Sequence, residues 1–374
     1  MSQKKKFSPL TLGLAYFSMF FGSGNLVFPL FLGQFAKVDW MYAFLGFFLS
    51  GVAGPLMGSV TMVAFQGDSN RFFNTIGPRL AKVFVTILML VWIPFGAAPR
   101  CILVAYEALV SMVSGVPLVF FGIVYSLFVY FSIVRRNRMI EVLGYFLTPT
   151  LLASLAVLWI VGIWNSQPPV AATESAGEVF RVSLSHGYQT MDLIASFFFS
   201  ASIIHVIRSE GLSVGQSMKK AFLSGSIGMG ILGLVYLSII YMSARHAPLL
   251  SALPKDQLLP FISQQFLGPN LSLVPVVVIF LACLTTSVAM LSVFTDFVRS
   301  SLPERLGRGD NQKQQIALLI GVVGTFILSL FSFEGSMQLT GPVLEVSCPL
   351  LALLAIYNLI KLATGRAVST EPSP

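Results

Sequence analysis

Ten long apolar stretches, at about 9–36, 41–65, 80–110, 117–134, 141–164, 190–208, 218–244, 271–300, 314–333 and 339–362, alternate with shorter polar segments along the chain. About 20 apolar residues cross the hydrocarbon core of a bilayer as a helix, so the pattern predicts ten membrane-spanning helices. The polar segments test that count. With the N-terminus in the cytoplasm, Lys4, Lys5, Lys6, Arg71, Arg79, Lys82, Arg135, Arg136, Arg138, Arg208, Lys219, Lys220, Arg299, Arg305, Arg308, Lys313, Lys361 and Arg366 fall inside. These eighteen cations stand against four outside, Lys37, Arg181, Arg245 and Lys255. Cytoplasmic loops carry the excess of Lys and Arg, and dropping one span would scramble the asymmetry. Both termini are expected in the cytoplasm.

The first stretch is interrupted. Phe20-Phe21-Gly22-Ser23-Gly24-Asn25-Leu26-Val27-Phe28-Pro29 sets two glycines, a serine and an asparagine inside apolar sequence. A bilayer core has no water for freed backbone groups, so such a break lines a cavity or packs against protein. A break near mid-depth presents carbonyls at one half-helix end and amides at the other, which suit a cation and a carboxylate respectively. The segment predicts a discontinuous helix at a solute site. Ten spans divide as five plus five, and an odd number per half gives the halves opposite topology, an architecture for alternating access. Span six would then carry its own break. Its middle reads Ala195-Ser196-Phe197-Phe198-Phe199-Ser200-Ala201-Ser202 without glycine, and small residues of this kind also serve close helix packing. The expected organisation is one transport domain over 1–374, with repeats at about 9–164 and 190–362. Two long outer loops, 165–189 and 245–270, complete the plan. In the second, a short helix near Leu258–Phe266 is expected to lie over the entrance or to act as a plain connector.

Span eight holds Leu284-Thr285-Thr286-Ser287, three consecutive hydroxyls. Hydroxyls in helices bond back to the i−4 carbonyl, but they also supply the uncharged oxygens that a hard cation prefers. Beside a broken first helix, Thr285 and Thr286 read as cation ligands. Four charges fall in the outer halves of spans: Arg100 and Glu107, two turns apart in span three, Asp192 at the start of span six and Glu345 in span ten. Charge inside a membrane points to function. A pair of Arg100 with Glu345 or Asp192 as an outer gate is expected, a static ion pair being the alternative.

Composition narrows the class. Hydrophobic residues make up 55% of the chain, charged residues 10%, and mean hydropathy is +0.83, against about 25% charged in soluble domains. The net charge of +8 is dispersed in loops without a basic face, which argues against a nucleic-acid partner. Cys101, Cys283 and Cys348 all lie in apolar segments and form neither a disulfide framework nor a metal pattern. Lys4–Lys6 precede an apolar stretch too long for a signal peptide. No two-histidine metal motif, nucleophile elbow or phosphate loop occurs, which speaks against an enzyme.

The segment around GSGNLVFP, Pro99-Arg100 followed by Glu107, Gly187-Tyr188-Gln189-Thr190-Met191-Asp192 and the LTTS segment together resemble bacterial branched-chain amino acid carriers through nearly the whole chain. Those carriers are cation symporters for leucine, isoleucine and valine. They belong to the amino acid–polyamine–organocation superfamily, with its leucine-transporter-like fold. The resemblance implies an all-α fold with a 5+5 inverted repeat and discontinuous helices one and six, in the bacterial cytoplasmic membrane. Carriers of this family commonly have twelve spans, whereas ten are counted here.

By that resemblance, one sodium ion would sit between carbonyls of Ser18, Phe21 and Ala282 and the hydroxyls of Thr285 and Thr286. The substrate carboxylate would meet amides at Ser23 and Gly24, and Asn25 would shape the break or bind a second cation. The side chain of the substrate would face span three and Phe197, Phe198, Ser200 and Ser202. No cofactor is expected beyond a coupling ion, sodium or a proton. The partners are an amino acid and the lipid bilayer, and the oligomeric state stays open. Besides the symporter, a solute sensor on the same scaffold and a proton-coupled carrier of other hydrophobic amino acids remain alternatives.

Overall fold

The computed structural model describes residues 7–134, 139–164, 166–303 and 309–364, apart from the side chains of 139–148, Ser202, His205, Val214, Pro269 and Asn270. The helices are α1 (Pro9–Phe20), α2 (Ser23–Ala36), α3 (Trp40–Phe48), α4 (Gly54–Ala64), α5 (Ser69–Phe73), α6 (Pro78–Trp92), α7 (Ala98–Val110), α8 (Leu118–Val134) and α9 (Met139–Trp164). They continue with α10 (Ala176–Gln189), α11 (Asp192–Ser209), α12 (Val214–Arg245), α13 (Ala247–Leu250), α14 (Leu258–Leu271), α15 (Leu273–Ser301), α16 (Asp310–Ser329) and α17 (Phe333–Ala363). Short π-helical turns at Leu49–Ala53 and Ile93–Ala97 join α3 to α4 and α6 to α7. Both lie where a proline, Pro55 or Pro94, interrupts the ladder of the span.

Local chemistry sets the ends. Ser8 accepts a hydrogen bond from the Thr11 amide at 3.0 Å, with Pro9 opening α1. Ser213 and Gln216 cap α12 reciprocally, and Ser332 caps α17 through the Gly335 amide, each meeting amides that a first turn leaves unpaired. The molecule is inside-out relative to a soluble bundle. On α8, Val119, Phe120, Ile123, Val124, Leu127, Phe128 and Phe131 are exposed, while Tyr125 and Ser126 are buried. Such an apolar outer stripe matches lipid as solvent.

Among the described residues six helical stretches are long and apolar enough to cross a membrane and three shorter helices are apolar. Numbered in chain order against the ten apolar stretches of the sequence, the spans are α1–α2, α3–α4, α6–α7, α8, α9, α10–α11, α12, α15, α16 and α17. Hydrogen bonds between connectors check the alternation. At one end Phe7 N donates to Glu210 at 3.2 Å, Arg208 to the Gln66 carbonyl at 3.4 Å and Asn358 to Thr75 at 3.1 Å. At the other, Val38 N donates to Val170 O at 3.2 Å, His246 bonds Gly162 O at 2.8 Å and Lys255 pairs with Glu334 at 2.8 Å. Each bond joins connectors of the same parity. Of the cations counted in the sequence, those at 4–6, 135–138, 305, 308 and 366 lie outside the described residues.

Packing follows an exchange rule. Span one lies on span seven and span six on span two. Span three packs on span eight, span eight on spans five and nine, and span three on spans ten and four. Renumbering each span by five maps these pairs onto one another, as two like units with opposite topology require.

Of the two long loops expected from the sequence, one is corrected and the other carries the helix that was expected. Residues 176–189 form helix α10, the first half of span six, rather than a loop. Ser175 caps its start through the Glu178 amide, and Val179, Ser183 and Gly187 bury against α3. Its polar residues had hidden it from the apolar count. The second loop does carry a helix, α14. Its Leu258, Leu259 and Ile262 are buried and it packs against α2, α7 and α9, so it is no mere connector.

Candidate functional site

Both discontinuous spans break at the same place. In span one, α1 ends at Phe21 and Gly22, both extended, and α2 restarts at Ser23. Asn25 folds its side chain back so that Oδ1 accepts the Gly22 amide at 3.0 Å. No side chain caps the first-turn amides of α2. Gly22 is needed because span eight passes close by, and a Cβ there would stand 3.1 Å from Thr286 Cγ2.

Span six breaks at Thr190–Met191, five residues before the segment the sequence had singled out. Met191 takes a left-handed conformation at φ 63°, a strained one for a bulky side chain. The surroundings hold it there. The Met191 amide donates to Tyr188 O at 3.0 Å, and Thr190 Oγ1 donates to Gly187 O at 2.8 Å while accepting the Asp192 amide at 3.3 Å. The buried Met191 side chain lies against Gly96 in the π turn of span three, where a Cβ would fall 2.6 Å from its sulfur. The breaks touch, since a Cβ on Gly24 would stand 3.4 Å from Thr190 Cα.

Asp192, at the first turn of α11, belongs to this junction. Its Oδ2 accepts from Asn25 Nδ2 at 2.6 Å and from the Tyr236 hydroxyl of α12 at 3.3 Å, and Asn25 also reaches Tyr236. The sequence had placed Asp192 with Arg100 in a gate. Arg100 instead caps the broken end of α10, donating to Gln189 O at 2.8 Å and Gln189 Oε1 at 2.9 Å. It also donates to Ser336 Oγ at 3.1 Å and Thr340 Oγ1 at 2.7 Å. A cation at a helix C-terminus meets carbonyls that have no helical partner, which removes the need for a carboxylate. Glu345 is exposed and accepts from Ser185 at 2.7 Å. Glu107 lies beside Gln257 and Asp256. At the same end as α10, Lys255 pairs with Glu334, its ammonium 4.4 Å from the centre of the Phe31 ring; sequence reading had not given this pair a role.

The proposed cation ligands come together in part. Thr286 Oγ1 lies 3.5 Å from Phe21 O across the contact of spans one and eight. Thr285 bonds back to Leu281 O and Ala282 O, each at 3.0 Å, so Ala282 meets the set through Thr285. Ser18 Oγ bonds Ala15 O at 3.0 Å.

Between the breaks lies a cavity of about 20 Å³, walled by Met19, Phe20, Trp92, Phe199 and Met290 and edged by Gly22, Ser23, Gly24, Asn25, Thr190, Asp192 and Thr286. That volume holds about one water, so a larger solute requires the helices to part. From α11 the cavity takes Asp192, Ala195 and Phe199, one helical face. Phe197, Phe198 and Ser200 do not line it. They point toward spans two and three, where Phe197 stacks on Phe72 at 4.7 Å, Phe198 on Trp92 at 5.6 Å, and Ser200 donates to Ser59 at 2.9 Å. The Ser202 side chain lies outside the described residues. Residues missed by sequence reading are Trp92, Thr190, Tyr236 and Cys101, the last within 3.5 Å of Ser23 Oγ. Only the motif Gly187–Asp192 carried a signal for any of them.

Two half-helix breaks meeting at one small cavity define a fold of the leucine-transporter type. Solved structures share the fold. A nucleobase-cation-symport-1 family transporter in a closed conformation matches with a TM-score of 0.61 at 15% identity, over 94% of this chain and 78% of that one. MhsT in complex with L-phenylalanine matches with a TM-score of 0.59 at 14% identity, over 95% and 89%. Among sequence relatives, the branched-chain amino acid transport system 2 carrier protein of Pseudomonas aeruginosa is 32% identical over 81% of this chain and 71% of its own. The branched-chain amino acid permease BrnQ of Bacillus subtilis is 29% identical over 93% and 78%. The chain belongs to the branched-chain amino acid transport protein family, whose model matches residues 5–370. It is a transport protein, not an enzyme.

Proposed function

We propose that the protein is a sodium-coupled symporter that imports leucine, isoleucine and valine by alternating access across a bacterial cytoplasmic membrane, with both termini in the cytoplasm. One observation carries this reading: the two breaks meet at a small cavity that offers different chemistry on each side. Uncapped amides of Ser23 and Gly24 suit a substrate carboxylate. Phe21 O and Thr286 Oγ1, 3.5 Å apart, suit a small hard cation, and the carbonyls of Ser18 and Ala282 and the Thr285 hydroxyl would complete its shell. Met19, Phe20, Trp92, Phe199 and Met290 supply apolar walls for a branched aliphatic side chain.

In this reading Arg100 and the Lys255–Glu334 pair close the outer side. The repeats run over 9–164 and 176–362, with α10 counted in the second, inside a single transport domain. Uptake of labelled leucine into proteoliposomes, with an imposed sodium gradient and potential, tests it. Sodium-dependent accumulation is the expected result. Uptake that follows a proton gradient and ignores sodium would give the coupling role to protons, and leucine binding without uptake would make the protein a sensor.

A further inference from the structure

Among the described residues that edge the cavity, Asp192 is the one carboxylate. It is 3% exposed and pairs with no Lys, Arg or His side chain among the described residues. The nearest buried guanidinium, Arg100, is committed to Gln189, Ser336 and Thr340. A carboxylate at membrane depth without a countercharge is costly, and it is relieved either by holding a proton or by a cationic partner. The protein supplies two donors to Oδ2, Asn25 Nδ2 and Tyr236 Oη, and no charge.

The placement of Asp192 indicates what the partner is. Asn25 bonds the Gly22 amide with one end of its side chain and Asp192 with the other. The Gly22 amide, one residue before α2, and the carboxylate at the start of α11 are therefore one short side chain apart, and the Ser23 and Gly24 backbone that follows lines the same cavity as Asp192. A free amino acid carries its carboxylate and its ammonium on a single Cα, so it can meet both stations at once. An acid lacking the ammonium would bring a second carboxylate beside Asp192 with nothing between them. A metal ion needs several free oxygens; the hydroxyls beside Asp192, Tyr236 Oη and Thr190 Oγ1, are engaged in hydrogen bonds of their own, and its neighbours along the cavity face of α11 are Ala195 and Phe199. An ammonium held by one charged acceptor fits that setting better.

We infer that Asp192 binds the α-ammonium of the substrate and makes the site selective for zwitterions over carboxylic acids with the same side chain. The inference rests on the transport reading above and adds the group that recognises the charged nitrogen.

Binding of L-leucine and of 4-methylpentanoate, which is leucine without its ammonium, to the purified full-length protein in sodium tests it. The wild type is expected to favour leucine by about 100-fold or more, because a site built for a charged donor rejects the analogue that lacks it. Asp192→Asn should reduce that ratio by about tenfold or more, mainly through weaker leucine binding, while Asp192→Glu retains a clear preference. Equal binding of both compounds by the wild type, a result independent of how any variant folds, overturns the inference alone. So does an unchanged ratio in a monodisperse Asp192→Asn protein, above all if its sodium or pH dependence moves instead, which would make Asp192 a coupling-ion ligand. Failure of the wild type to bind leucine at all overturns the transport reading and this inference with it.

Discussion

Thr285 and Thr286 are neighbours in sequence with different surroundings. Thr286 faces Phe21 O across the helix contact, and Thr285 is bonded twice to its own helix. Thr286→Ala should therefore lower apparent sodium affinity by about tenfold, a loss of about 1–2 kcal/mol for a buried oxygen contact, and Thr285→Ala by less. Sodium titrations of leucine binding measure both, and equal effects would mean that the hydroxyls act together. Gly24→Leu should abolish leucine binding while the protein still inserts, because its side chain would enter the space between Phe28 and Thr190; retained affinity would reduce the break to a packing feature. At this scale the sequence was legible where residue type alone decides, as at Gly22, Asn25 and Thr286. It misled on α11. Phe197, Phe198 and Ser200 were chosen by type, but the register set by Asp192 turns Ala195 and Phe199 to the cavity, and register depends on where the helix begins.

Among the elements, α10 shows what hydropathy cannot read: a half-helix with Glu178, Arg181 and His186 that is membrane-borne because α3 covers it. The break of span one is written locally in Gly-Ser-Gly-Asn. The break of span six is not, since its left-handed residue is a methionine held from outside. Arg100 ties that break to α17, whereas sequence reading sought its partner among the carboxylates. Arg100→Gln leaves the Gln189 carbonyl and the Ser336 and Thr340 hydroxyls short of a donor. The natural Cys101 in the cavity wall reports the consequence. In a background with Cys283 and Cys348 replaced by Ser, a membrane-impermeant thiol reagent added outside should modify Cys101 faster in Arg100→Gln than in the parent. Equal rates would make Arg100 a structural cap and not a latch.

For the whole molecule, the apolar segments of the sequence fall on the helices of the structure, and the cationic segments between them predict the orientation, because lipid imposes both rules at once. Cysteines introduced at 135–138 should resist impermeant reagents applied outside intact cells; labelling there would invert the topology. The same architecture bounds transport. One sodium ion entering down 100 mV supplies about 2.3 kcal/mol and a tenfold gradient about 1.4 kcal/mol. Their sum sustains roughly a 500-fold accumulation of a neutral amino acid. Steady-state uptake well above that ratio would require a second coupling ion.

The methionine at the second break has a consequence for how the protein is made. Neither glycine nor proline stands at Thr190–Met191 to break the helix, and the local bonds of Thr190 and Met191 to Gly187, Tyr188 and Asp192 are backed from outside by Gly96, Arg100 and Asn25, which grip the bend. During biogenesis the segment would leave the translocon as one uninterrupted rod and bend only on docking against spans one and three, already inserted ahead of it. A synthetic peptide of residues 176–209 in micelles should accordingly show helical chemical shifts straight through Met191. The transport site is then completed by assembly, so a chain that has failed to bring its early spans together carries no finished cavity.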